Sequence, residues 1–279
     1  MPELPEAEVV AQQLRAKLSG ATVTDCWVGR RDIIREGADT LPWYKNAVLH
    51  QIHRYGKSVV LELMKGEESR FIVAELGMTG LLLFRSVPLK YPQHVHVRLS
   101  FSGGREPELQ YWNPRRFGRL SLLDRQGLDR YVARRFGCDP LSVSRHHFLQ
   151  LLRERRGRLK PLLMHQQLIA GIGNIYANEI LFRAGLHPNR MACRISDAAR
   201  TKLYDTMQAV LQEAIASGGS SVRDFFAPDG SEGRYRRYHL AYGKEGLPCP
   251  NRCGRLIRRV QNERSSFFCP FCQSKKVAR

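Results

Sequence analysis

Four cysteines near the C-terminus carry the clearest chemistry in the chain. Cys249 and Cys253 stand in CPNRC, and Cys269 and Cys272 follow in CPFC after a gap of fifteen residues. Two close pairs of thiolates across a hairpin-sized gap suit one structural Zn2+, which accepts soft sulfur tetrahedrally and has no directional preference. The first pair is separated by three residues, where two is the commoner spacing. A pair of disulfides is the rival reading, but the acidic, proline-punctuated start does not read as a secretory signal. At the other end, MPELPE crowds Pro2, Glu3, Pro5 and Glu6 into a place where a domain ordinarily carries a disposable tail.

Two further groups face anions. Arg153, Arg155, Arg156, Arg158 and Lys160 fall within eight positions; such a run is often only a solvated face. It leads through PLLMHQQL into GIGN, where Gly171 and Gly173 permit close backbone approach and Asn174 is expected to N-cap a helix. Helix-start N–H groups beside five cations read as a phosphate site. Upstream, LGMTG (Leu76–Gly80) and NPRRFG (Asn113–Gly118) are glycine-bounded turns presenting Met78, Arg115 and Phe117. Such side chains usually plug cores, but beside a cationic surface they can wedge into a base stack.

The totals agree with a polyanion as partner. Among 279 residues, 45 Lys and Arg oppose 26 Asp and Glu, a net charge of +19. Such a field favours nucleic acid first and an anionic membrane surface second. The longest apolar runs, such as Leu81–Phe84, fall far short of the roughly 20 residues a membrane span needs. Cys26, Cys138 and Cys193 stand alone, which suits a reducing compartment, and a cytoplasmic location is expected.

These groups need a frame, and the hydrophobic pattern supplies one. PEAEVVAQQLRAKLSG reads as a helix, with Pro5 in its first turn, a Val10, Leu14, Leu18 stripe and Gly20 as terminator. Short β-type segments follow: ATVTDCWVG, NAVLHQIHRYG, KSVVLELM, SRFIVAEL, LLLF, HVHVRLSF, ELQYW and GRLSLLD, punctuated as in a sandwich or barrel. After about Tyr131 the pattern turns helical in HHFLQLLRERRGRLKPLLMHQQL, IYANEILFRAG and SDAARTKLYDTMQAVLQEAIASGG. Gly185 is expected to end the second of these. RLIRRVQ and RSSFFC would form two ribbon strands joined around Asn262–Glu263, with Arg264 near the tip. The expected fold class is α+β: an N-terminal β-sandwich domain with an N-terminal helix, a C-terminal helical domain and a terminal zinc ribbon.

MPELPE, RYGK ending in Lys57, LGMTG, NPRRFG, KP…GIGNIYANEILF and RSSFFCPFCQ stand in the order found in bacterial formamidopyrimidine-DNA glycosylases. The chain resembles that family, which includes the endonuclease VIII enzymes, over essentially its whole length, and MPELPE favours the formamidopyrimidine branch. The resemblance implies a catalytic sandwich over 1–135, a helix-two-turn-helix DNA-binding domain with a lesion loop over 136–244, and a zinc finger over 245–279. It also implies a monomer that removes oxidised bases, notably oxidised purines, from damaged or abasic duplex DNA and cuts the strand by β,δ-elimination. Pro2 would be the nucleophile once Met1 is removed, with Glu3 protonating the opening sugar and Glu6 assisting. Lys57 would donate a proton in β-elimination, and Arg264 would act in δ-elimination.

His94, Arg115 and Arg156 match DNA contacts, Lys160 and Asn174 match phosphate ligands, and Met78, Arg115 and Phe117 match the trio filling the gap left by a flipped base. Three positions depart from the pattern: Asn113 stands for the usual Asp, Glu75 for the usual His and Arg156 for Lys. The loop Ser217–Lys244 resembles the family in GGSSVRDF and YGKEG, while its middle identifies no lesion. Two rival readings are an endonuclease VIII-like preference for oxidised pyrimidines and a non-catalytic binder of damaged DNA. A binder needs no N-terminal amine, so the set Pro2, Glu3, Lys57 and Arg264 speaks against the latter.

Overall fold

A computed structural model of the chain describes residues 2–222, 225–261 and 264–274. The expected strand joint at Asn262–Glu263 lies outside the described residues. Two compact units form: one contains the chain up to Arg135 together with Ile215–Arg236, the other Phe136–Ala214 together with the chain from Arg237 onward.

The first unit begins with α1 (Leu4–Leu18), whose Leu4, Ala7, Ala11, Leu14 and Leu18 are fully buried. Nine strands follow: β1 (Thr22–Val28), β2 (Ile34–Glu36), β3 (Val48–Tyr55), β4 (Ser58–Lys65), β5 (Glu68–Glu75), β6 (Leu81–Phe84), β7 (Val95–Ser102), β8 (Glu108–Trp112) and β9 (Arg119–Asp124). Their hydrogen-bonded order is β2-β9-β5-β4-β3-β1-β7-β8-β6. β1 pairs with β7 along its length but meets β3 only at Thr22↔Val48. The ribbon folds at that joint into a sandwich, and Leu61, Leu63 and Ile72 share one apolar cluster with Leu99, Leu109 and Tyr111.

The side-chain period of two sends alternate β4 and β5 residues to the other face. There Val60, Phe71 and Val73 pack with Leu123 and with Leu128 of α3 (Arg125–Arg135). Sequence periodicity missed both α3 and the short edge strand β2, which pairs in parallel with β9. The unit is completed by a short helix, α2 (Leu41–Tyr44), and by the returning segment, whose Phe225 is buried in the sandwich core.

The second unit contains α4 (Arg145–Glu154), α5 (Leu159–Leu163), α6 (Asn174–Ala184) and all but the last two residues of α7 (Asp197–Ala216), then the ribbon strands β10 (Arg258–Val260) and β11 (Ser266–Phe268). Residues 146–168, expected as one helical stretch, are broken. Arg155 and Arg158 adopt extended backbone, so the cationic run becomes an exposed joint between α4 and α5. Among the described residues, no helix is long and apolar enough to cross a membrane.

Candidate functional site

In the first unit, Glu3 is the residue before α1, and Pro2 directly precedes it. Glu6, three residues on, accepts the Glu3 N–H at 2.8 Å through one carboxylate oxygen. This closes a helix-start donor that would otherwise lack a partner. Its other oxygen accepts the Ser220 N–H at 2.7 Å. Both glutamates are almost completely buried, so the carboxyl groups are held at the positive end of a fifteen-residue helix. Glu6 thus links the start of the chain to the base of the returning loop. Arg223 and Asp224 of that loop lie outside the described residues.

Lys57 occupies the tip of the β3–β4 hairpin. Tyr55 pairs with Ser58, leaving Gly56 and Lys57 as a two-residue turn, and Gly56 takes φ 57°, which favours glycine. Behind it, Glu8 accepts from Arg15 at 3.0 Å and from Arg54 at 2.9 Å.

The structure brings LGMTG and NPRRFG together. A Cβ on Gly77, itself at φ 61°, would strike the Gly118 backbone, so the two turns pack glycine to glycine. Asn113, wholly buried, joins them further. Its amide donates to the Tyr111 hydroxyl at 3.1 Å and to the Gly118 carbonyl at 3.3 Å, while Thr79 donates to its Oδ1 at 3.5 Å. The departure from aspartate therefore places a neutral two-way donor at the hub. Met78, Arg115 and Phe117 project from these turns, with 38% of Met78 and 54% of Phe117 exposed and the Arg115 guanidinium 4.9 Å from the Phe117 ring centre. Large exposed apolar side chains on a rigid double turn are available to enter another molecule. A Gly77→Ala substitution should shift these turns and lower the melting temperature by several degrees, the effect of about 1–3 kcal/mol at a left-handed, crowded site.

His94 lies half-buried between Tyr91 and Trp112, each with its ring centre 6.1 Å from the imidazole. Glu75, another of the departures, gathers Arg35 at 2.7 Å, Arg135 at 3.0 Å and Tyr131 at 3.0 Å around one oxygen.

In the second unit, the cationic run divides. Arg153 is committed to Asp197 through two bonds of 3.0 and 2.6 Å. Arg156 is exposed in the α4–α5 joint. Lys160 is buried, and its ammonium donates to the Ser265 carbonyl at 2.6 Å and the Ser266 hydroxyl at 3.0 Å. It therefore props the root of the ribbon tip, where exposed Arg264 lines a groove with Arg158, Lys160 and His165. The GIGN turn is shaped by Gln166, which donates to Met164 O and Ile172 O and accepts from Gly171 N. Gly173 remains extended and is the N-cap; Asn174, expected in that role, is the first helical residue.

Sequence reading also missed the polar side chains that hold the ribbon, and the segment leading into it, within this unit. Glu179 accepts three backbone N–H groups, from Leu240, Ala241 and Tyr242, at 2.7–3.0 Å. Burial pushes its carboxyl pKa up, against those donors, which favour the charged form. Asn178 accepts from Phe267 N, and Gln273 donates to Leu186 O, both at 2.8 Å. Their partners are backbone groups distant in sequence, so no local motif announces them.

The four expected metal ligands converge, with all the ligand atoms within 4.8 Å of one another. Cys249 and Cys272 sulfurs are 3.8 Å apart, and those of Cys253 and Cys269 3.5 Å. A disulfide needs about 2.0 Å, whereas a tetrahedron with zinc–sulfur bonds of about 2.3 Å has edges near 3.8 Å. The cage fits a metal ion. Arg252 at φ 54° takes up the extra residue of the wider knuckle.

The two units carry the architecture of a DNA-processing enzyme of one known class. Residues 1–120 match the model for the formamidopyrimidine-DNA glycosylase N-terminal domain, and residues 136–226 the model for the formamidopyrimidine-DNA glycosylase H2TH domain. The formamidopyrimidine-DNA glycosylase of Pelotomaculum thermopropionicum is 36% identical over 99% of this chain and 100% of its own length. The crystal structure of the MutM (Fpg) protein from Thermus thermophilus superposes with a TM-score of 0.84 at 35% identity, covering 99% of this chain and all of that one. The complex of Lactococcus lactis Fpg with DNA containing an abasic site gives 0.85 at 30% identity, covering 98% of this chain and all of that one. The chain belongs to the formamidopyrimidine-DNA glycosylase family.

Proposed function

We propose that the chain is a bifunctional DNA glycosylase and abasic-site lyase of base excision repair, acting on oxidised purines such as 8-oxoguanine and on formamidopyrimidines in duplex DNA. What supports the reading most is the N-terminus: Glu3 and Pro2 stand at the start of α1, seated by Glu6, in a chain that matches its family relative over all of that relative's length. Removal of Met1 turns the Pro2 nitrogen from an amide into a secondary amine. Ordinary α-amines titrate near 7.7–8.0, and the adjoining helix start disfavours the ammonium further. The amine lone pair attacks C1′, the C1′–N bond breaks, and the base leaves with its bonding electrons and takes up a proton. Glu3 supplies a proton to the ring oxygen as the sugar opens to an iminium. That cation withdraws electrons, C2′ loses a proton, and the 3′ phosphate departs.

In this reading Lys57 serves β-elimination, and Arg264 serves δ-elimination and holds a phosphate. Lys160 and Asn174 are further phosphate ligands, and Arg156 and His94 contact the backbone. Met78, Arg115 and Phe117 fill the vacated stack. The functional division is a catalytic domain over 1–135, a DNA-binding domain over 136–244 and a finger over 245–279, in a cytoplasmic monomer. Cys249, Cys253, Cys269 and Cys272 would hold one structural zinc, which supplies folding free energy and takes no part in the reaction.

A panel of duplexes, each bearing one defined lesion, tests the assignment under single-turnover conditions with borohydride. Cleavage and a trapped adduct on oxidised-purine and abasic duplexes are expected; tight binding without scission on any lesion would leave only a binding protein. Arg156→Met should weaken binding evenly across duplex sequences and lower the salt slope by about one. A change confined to lesion preference would remove its phosphate role.

A further inference from the structure

We infer that Glu8 and Arg54 are positioning residues, which hold the Lys57 hairpin at a fixed place against the start of α1. The inference rests on the catalytic reading of Pro2, Glu3 and Lys57 given above. Every contact that carries it lies within the first unit.

Glu8 sits on α1 one turn beyond its first residue, on the helix that carries Glu3 at its head. Its Oε2 accepts from Arg54 Nε at 2.9 Å, and its Oε1 from Arg15 Nη1 at 3.0 Å. The same two guanidiniums reach the β3–β4 hairpin. Arg15 Nε donates to the Ile52 carbonyl at 2.7 Å, and Arg54 Nη1 donates to the Gly56 carbonyl at 3.1 Å. The peptide unit of Gly56 is the one whose nitrogen belongs to Lys57. One carboxylate on the helix is thus joined, through a single planar guanidinium, to the peptide plane that launches the lysine.

The arrangement is not an ordinary surface ion pair. The Arg54 side chain is 6% exposed and that of Glu8 14%. Pairs withdrawn from water are weakly screened and hold their geometry, and each partner is costly to leave alone. The fork of an arginine spans carboxylate and carbonyl at once, a task a lysine ammonium at the end of a flexible stem does not reproduce. A two-residue turn with Gly56 in left-handed backbone has several ways to rock, and the Arg54 bond selects one of them. Neither Glu8 nor Arg54 has a part in the bond changes, so their effect must act through placement. Misplacing a reacting group by about 1 Å can cost a hundredfold.

The test uses the whole Met1-processed chain and an abasic duplex as probe. Arg54→Met and Glu8→Gln are compared with the parent for duplex affinity, melting temperature, single-turnover cleavage and the rate of borohydride trapping. Arg54→Met is expected to slow cleavage by about 10- to 100-fold while affinity stays within about threefold, the pattern of a group acting after binding. Arg54→Lys keeps the charge and should remain slow. Trapping should fall less than cleavage, because the iminium forms before Lys57 is required. A folded Arg54→Met protein cleaving within about threefold of the parent, or one restored by lysine, overturns the inference. Absence of any trapped adduct in the parent would instead sink the catalytic reading, so the two failures are distinguishable.

Discussion

Protein that retains Met1 should form no borohydride adduct with an abasic duplex, while the processed form of the same preparation should form one and cut the strand. In the retained form the Pro2 nitrogen is part of a peptide bond, its lone pair is delocalised, and attack on C1′ is closed. Losing a nucleophile outright typically costs on the order of 10⁴- to 10⁶-fold, so cleavage should drop below detection with duplex binding left intact. Intact-mass measurement of each fraction, paired with trapping and cleavage assays, gives the answer. The buried seat of Glu3, fixed through Glu6 at 2.8 Å, makes the comparison clean, because adding one residue ahead of Pro2 leaves the Glu3 seat intact. Full activity from uniformly Met1-bearing protein would transfer the nucleophile to another residue.

Replacing Cys269 by Ser should release the metal, unfold the ribbon and abolish duplex binding. Cys269 is fully buried, its N–H donates to Gln273 Oε1 at 2.9 Å, and its sulfur stands 3.5 Å from that of Cys253. The apolar cluster beneath it is small: Phe182, Ala241, Cys249, Ile257 and Phe267 are the other buried members. With so little core, metal binding, about 10–16 kcal/mol in isolated zinc modules, would supply most of the ribbon's stability. Serine oxygen is a poor match for a soft thiolate site. Loss of the ribbon would also deprive Asn178 of its Phe267 N–H partner, leaving a buried acceptor unsatisfied. Metal content by mass spectrometry and duplex binding by titration read the result; a variant with parental zinc and affinity would refute the four-thiolate site.

The sandwich strands were legible because their residues follow the burial they meet. Leu61 and Leu63 face one core while Val60 faces another, and a strand buried on both sides reads as a continuous apolar run. α1 was legible from its stripe and terminator, α6 from its terminating glycine, α7 from its helical pattern, and the cysteine quartet from spacing. α3 was not, because its buried positions are only Gly127 and Leu128 on an otherwise charged segment. The break at Arg155–Arg158 was not, because arginine is a good helix former and Gly157 alone does not announce an extended joint. The positioning residues were least visible: Glu8, Asn178 and Glu179 act on backbone groups or guanidiniums brought near only by folding.

The first unit is assembled from two stretches separated by most of the second, and this constrains how it is made. Phe225 belongs to its core, Ser220 N–H satisfies Glu6, and Pro228 accepts from the Phe84 backbone at 2.8 Å. A nascent chain emerging from the ribosome therefore cannot close the sandwich until the helices have been synthesised and the loop has come back. Any product truncated between residues 136 and 219 would carry an open flank and an unseated glutamate. Such a fragment would expose the core positions that Phe225 covers, and backbone left open in that way is where proteases cut most readily.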